Sequence, residues 1–226
     1  PPVRAYVLFL DSEAFRAEGR NSEARSQYEA VRSAQGDSTL GWRARLRLAQ
    51  MEFEAREFSR AAAESGALLG EALPEPLKAT AFLLTGEAAY WGREYDTAAD
   101  VFSRFLSEFT GHPPAGAAAL SLGWTELRRG RFEAARERLT AFARYFPTDP
   151  RAGEAMVLAS ELAGRAGDLT TARDLLDQML AQYPGDPRID VALVNRGILA
   201  LRFGRFEEAS KTLGDLAVRV PLSPFL

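Results

Sequence analysis

The sequence predicts an all-α fold, an α-α superhelix or solenoid built from six helix-turn-helix repeats. Three observations predict it. An alanine returns every 37 residues, at Ala24, Ala61, Ala98, Ala135, Ala172 and Ala209. A small residue stands twelve positions before each of them, at Ser12, Ala49, Gly86, Gly123, Ser160 and Gly197. A proline column keeps the same period through Pro2, Pro76, Pro113, Pro150, Pro187 and Pro224, with Thr39 as the one exception. Self-similarity at a fixed period of this size marks a repeat array, in which each unit buries its apolar faces only against its neighbours.

The proline column sets units of 2–38, 39–75, 76–112, 113–149, 150–186 and 187–223 in a single array over 1–226. Each unit reads as two helices. In the fourth, Pro113 and Pro114 open the first helix, and Leu120, Trp124 and Leu127 share one of its faces. Gly130 supplies the residue that ends it. The second helix, 132–145, carries Phe132, Ala135, Leu139 and Phe142 on its inner face, and Pro147 stops it. Asp149 and Pro150 then read as an N-cap followed by proline at the first helical position, an arrangement repeated at Asp186-Pro187 and Ser223-Pro224. No stretch shows the alternation or β-branched richness of a strand.

The small-residue columns have a physical cause. Two helices cross closely only where side chains are small. Gly123 against Ala135 is the expected crossing, with the Phe132 ring filling the space beside it. A leucine at Ala135 would overpack that crossing.

Composition and motifs exclude several function classes. An apolar content of 46% over 226 residues is ample for a large core. The 28 basic and 31 acidic residues leave a net charge of −3, which gives no electrostatic reason to expect nucleic acid as a partner. No apolar run approaches the roughly 20 residues of a membrane span, so direct membrane insertion is not expected. The chain lacks cysteine, which removes disulfides and thiol chemistry. It opens on Pro1 instead of Met, as a processed form or a segment of a longer array would. His112 is the only histidine and reads as a polar residue at a helix start. No metal-binding, nucleotide-binding or nucleophile-elbow pattern is present, and no catalytic residue, cofactor or metal is expected.

Gly123, Gly130, Phe132, Ala135 and Pro147 form a pattern that returns at Gly197, Gly204, Phe206, Ala209 and Pro221. On these residues the chain resembles the tetratricopeptide repeat family over nearly its whole length. The period exceeds the roughly 34 residues usual there. Units one and two depart from the pattern: Asn21 replaces the aromatic, and Ala49 and Arg56 replace glycines, so these units are expected to be distorted or cap-like. The links Tyr-Phe-Pro-Thr-Asp-Pro at 145–150 and Tyr-Pro-Gly-Asp-Pro at 183–187 are similar to those of bacterial envelope repeat proteins. Outer-membrane-assembly lipoproteins and periplasmic cell-division coordinators are examples, and the likeness implies a periplasmic or envelope setting over a cytoplasmic one.

The resemblance implies a non-catalytic scaffold that binds a protein or peptide partner on a concave surface lined by the first helix of each unit. The residues it places there are Phe53, Tyr90, Trp91, Trp124, Leu127, Arg128, Arg165 and Arg202. Aromatic side chains rimmed by arginine suit a helix or extended peptide laid in a groove. The alternative is that Phe53, Tyr90, Trp91, Trp124 and Leu127 pack between adjacent units. The basic and asparagine pattern that clamps a terminal carboxylate in chaperone-binding relatives is missing. Two further functions stay open: end-to-end self-association through a sixth unit that presents Leu213, Leu216, Val220, Phe225 and Leu226, or a helical accessory region of a larger enzyme.

Overall fold

The computed structural model describes residues 2–109 and 111–225. Twelve helices and no strand occur among the described residues. In chain order they are α1 (Pro2–Ala17), α2 (Asn21–Gln35), α3 (Thr39–Glu54), α4 (Phe58–Leu68), α5 (Glu75–Trp91) and α6 (Tyr95–Glu108). They continue as α7 (Ala115–Arg128), α8 (Phe132–Tyr145), α9 (Ala152–Arg165), α10 (Leu169–Gln182), α11 (Ile189–Arg202) and α12 (Phe206–Arg219). Among the described residues none of these helices is long and apolar enough to cross a membrane.

The turn inside each hairpin is the same object repeated. Its central residue has a left-handed φ: Gly19 at 75°, Gly130 at 73°, Gly167 at 84° and Gly204 at 69°, but Arg56 at 63° and Arg93 at 65°. The amide after it reaches back five residues. Arg131 N–H donates to Glu126 O at 3.0 Å, and Glu57 N–H to Glu52 O at 2.9 Å. Together these bonds make the Schellman ending, which satisfies carbonyls the helix cannot. Unit two is therefore not distorted at its turn. Arg56 adopts the backbone that glycine adopts elsewhere, because the two closing hydrogen bonds hold it there.

Two compact units divide the chain, 1–118 and 119–226. Within the first, each helix from α1 to α6 packs on the next, and the first helices also touch: α1 with α3, and α3 with α5. Phe9, Tyr28, Val31, Leu48 and Met51 form one core cluster and Leu46, Leu68, Ala81 and Leu84 another. Phe82, Phe105 and Phe109 lie with ring centroids 5.0–6.2 Å apart. Within the second, α8 to α12 pack in succession, and α9 touches α11. Leu139, Phe142, Met156, Leu162, Leu176 and Met179 fill its core.

The alanine column is buried throughout: Ala24, Ala61, Ala98, Ala135 and Ala172 are 0% exposed and Ala209 is 1% exposed. Where the small residue is Gly86, Gly123 or Gly197, its nearest neighbour is the side chain one turn beyond that alanine. A β-carbon on Gly123 would lie 2.9 Å from Leu139 Cδ2, one turn beyond Ala135. Gly86 meets Phe102 and Gly197 meets Leu213 in the same way. The seam therefore joins each of these three glycines to the side chain sixteen positions later, and the buried alanine sits one turn before that contact.

Two other expectations need correction. Phe132 is 55% exposed and Phe206 is 71% exposed. Each is the first residue of its helix, where the chain has only just left the turn, so neither sits on the inner face. The regular helices α9 and α11 begin at Ala152 and Ile189, two residues after the prolines. Asp149 and Asp186 do cap, but on the turn before the helix: their Oδ1 atoms accept from Arg151 N–H at 2.9 Å and Arg188 N–H at 2.8 Å. Ser223 Oγ accepts from Phe225 N–H at 3.3 Å in the same register.

Candidate functional site

In the first compact unit, the charged side chains on α1 and α3 are tied to one another. Glu13 takes two hydrogen bonds from Arg47, at 2.7 and 3.0 Å, and a third from the Tyr28 hydroxyl. Burial, followed by the Glu13 carboxylate, pushes the Tyr28 phenol above its ordinary pKa. Arg47 also donates to Gln50 at 2.8 Å, and Arg16 is paired with Glu54. Glu87 on α5 differs. Burial raises its carboxyl pKa, and no ion pair among the described residues offsets the desolvation.

The aromatic residues of this unit meet where the hairpins turn. Phe53 lies edge-on to Phe58 with centroids 5.4 Å apart. Phe58 stacks on Trp91 at 6.4 Å, and Tyr90 lies 5.6 Å from Trp91 and 5.8 Å from Tyr95. Phe53 and Tyr90 are half-buried in this cluster, whereas Trp91 is 60% exposed. The indole is thus supported on one side and offered to solvent on the other. Phe58 and Tyr95 were not among the residues expected here. Their signal was the aromatic column that opens the second helices, which the turn brings against the end of the first.

In the second unit, Trp124 and Leu127 are half-buried against the core, and Arg128 is exposed. The neighbouring helices α9 and α11 leave a cleft of about 550 Å³ lined by Glu161, Arg165, Asn195, Ile198, Leu199 and Arg202. Arg165 and Arg202 occupy the same phase of two successive repeats, and both are exposed. Neither has a carboxylate partner among the described residues. Glu161, the one carboxylate on this lining, accepts instead from Asn195 Nδ2 at 3.2 Å. Ile198, 44% exposed, adds an apolar side chain one turn before Arg202. It was missed in the sequence because the columns at its phase hold Glu13, Gln50, Glu87, Trp124 and Glu161, mostly polar residues.

His112 stands ahead of α7, its ring edge-on to Phe109 at 5.5 Å and its Nε2 3.5 Å from Glu75 Oε1. No group of three or more His, Asp or Glu side chains able to hold a metal occurs among the described residues.

A tetratricopeptide repeat family model matches residues 12–74, 53–113 and 120–187, and a second such model matches 165–223. No curated protein matches the chain in sequence. Solved structures do. YrrB, described as a tetratricopeptide repeat protein with an unusual peptide-binding site, has a TM-score of 0.60 at 19% identity, over 86% of this chain and 93% of YrrB. A tetratricopeptide repeat protein of Parabacteroides merdae has a TM-score of 0.64 at 14% identity, over 95% of this chain and 79% of its own. Pseudomonas aeruginosa pilF has a TM-score of 0.58 at 18% identity, over 97% of this chain and 93% of its own. At these identities the likeness shows the fold alone.

Proposed function

Because the chain belongs to the tetratricopeptide repeat family, we propose that it is a non-catalytic scaffold that binds a peptide or helix of another protein on its first helices. The observation that carries this reading is Trp91. A 60%-exposed indole packed against Phe58 and Tyr90 has a supported face and a face open to a partner. Ordered aromatic anchors lose little side-chain entropy on binding and dominate the energetics of most interfaces. YrrB supports the reading as a protein of the same fold with a peptide-binding site.

A random peptide library panned on the intact chain tests it. Binding peptides are selected, and Trp91→Ala weakens them while leaving the helical circular dichroism unchanged. Failure to select any peptide rejects the scaffold reading. Selected peptides indifferent to Trp91→Ala remove Trp91 as the anchor.

A second reading, self-association, has its own support. Val3, Tyr6, Val7 and Leu10 form an exposed apolar stripe at helical spacing on α1, each 49–72% exposed. On and after α12, Leu213, Val218, Leu222 and Phe225 are also exposed, and Leu216 is buried; Leu226 lies outside the described residues. Light scattering decides: a mass that rises with concentration and falls for Val7→Glu supports association, and a constant monomer mass excludes it.

A further inference from the structure

We propose that the cleft between α9 and α11 takes an acidic segment of the partner, whose side-chain carboxylates pair with Arg165 and Arg202. This rests on the scaffold reading and names the chemistry of its occupant. Two guanidinium groups line the same cleft, and neither is matched by a carboxylate among the described residues. The carboxylate on the lining, Glu161, accepts a hydrogen bond from Asn195 at 3.2 Å. The cleft therefore carries two cations against one anion. By contrast, Arg16 and Arg47 on the first compact unit are each held by a glutamate of their own unit.

The spacing suits an extended peptide. Arg165 and Arg202 hold the same phase on first helices that touch. Packed helices lie roughly 8–10 Å apart. Alternate side chains of an extended strand lie about 7 Å apart on one face. Two acidic residues separated by one or two positions can thus each meet one arginine, since the long side chains cover the difference. Guanidinium offers paired N–H donors that match a carboxylate. Ile198 and Leu199 supply an apolar floor beside them, so an aliphatic residue belongs next to the acidic pair. The contacts are to side-chain carboxylates, so a free C-terminus is not required.

The test uses the intact chain and the random peptide library, with Arg165→Ala/Arg202→Ala as the comparison. Both side chains are exposed, so their removal is expected to leave folding intact, which circular dichroism checks. The expected peptides are rich in Asp or Glu beside Leu, Ile or Val. They bind the double variant roughly tenfold more weakly, exposed ion pairs contributing modestly each. Replacing their acidic residues with Asn or Gln gives a similar loss, amidating their C-terminus gives none, and added salt weakens them. Peptides selected without acidic enrichment, or acidic peptides that bind the double variant equally well, overturn the proposal while the scaffold reading stands. If no peptide is selected, the scaffold reading itself falls, and this proposal with it.

Discussion

Gly86 lies so close to the ring of Phe102 that a β-carbon on it would come within 2.6 Å of Phe102 Cε1. The contact is one instance of a seam that recurs at Gly123–Leu139 and Gly197–Leu213. The three differ in how far the facing side chain can move. Phe102 is 1% exposed and rigid, Leu139 is fully buried, and Leu213 is 38% exposed.

Alanine substitution should follow that order. Gly86→Ala is expected to cost about 1–3 kcal/mol by overpacking. Gly123→Ala should cost less, because a leucine can change rotamer. Gly197→Ala should be near neutral: Leu213 can swing towards solvent, and alanine favours the helix by about 0.5–1 kcal/mol over glycine. Urea unfolding of the three variants measures this, and a reversed order would show that the seam is not the limiting contact.

The hairpin turns make the opposite prediction for glycine. Arg56 and Arg93 hold left-handed φ values of 63° and 65°. Arg56→Gly and Arg93→Gly should each stabilise the protein by about 1 kcal/mol by removing that strain. Gly130→Ala should destabilise it by a similar amount of about 1 kcal/mol, for its β-carbon would meet nothing within 4 Å and only the backbone would object. Thermal unfolding midpoints shifting in the other direction would contradict the backbone argument.

Glu13 and Tyr28 should be energetically coupled. Tyr28 is 0% exposed and its hydroxyl donates to Glu13, which also holds Arg47. Glu13→Ala strands a buried hydroxyl and is expected to cost about 1–3 kcal/mol. In a Tyr28→Phe background the same substitution should cost less, since no hydroxyl is left without an acceptor. A double-mutant cycle with coupling near zero would place the network outside the stability of this unit.

Glu87 should make stability depend on pH in an unusual direction. Burial raises its folded-state pKa above the unfolded value, so the folded protein holds the proton more tightly. Its contribution is fully present below the ordinary carboxylate pKa and is lost as pH rises through the raised one. Glu87→Gln should therefore stabilise the protein at neutral pH and flatten this part of the profile. Denaturant titrations of both proteins across the acid-to-neutral range check the sign, and a Gln variant less stable at neutral pH would reverse it.

At the proposed binding surfaces, sequence columns pointed to residues but not to what covers them. Arg165 and Arg202 stand out in the sequence only as two members of a repeating position. Trp124 and Leu127 share the helical face expected of them, but that face packs against the core of the second unit. Trp91, the last residue of α5, is 60% exposed although Ala88 and Ala89 in the same turn are buried. Exposure at such positions depends on which neighbour covers the site, and no local pattern encodes that.

The sequence by itself determined the helices, their period and the buried alanine column, because helix ends and small-residue positions are set by local backbone chemistry that repeats every 37 residues. Tertiary structure alone decided what the seam glycines face, that Phe132 and Phe206 lie outside the core, and that Arg165 and Arg202 share one cleft with no carboxylate partner among the described residues. The reason is physical. Residue spacing fixes which side of a helix a side chain leaves from, whereas burial and ion pairing depend on atoms that neighbouring helices bring from tens of residues away.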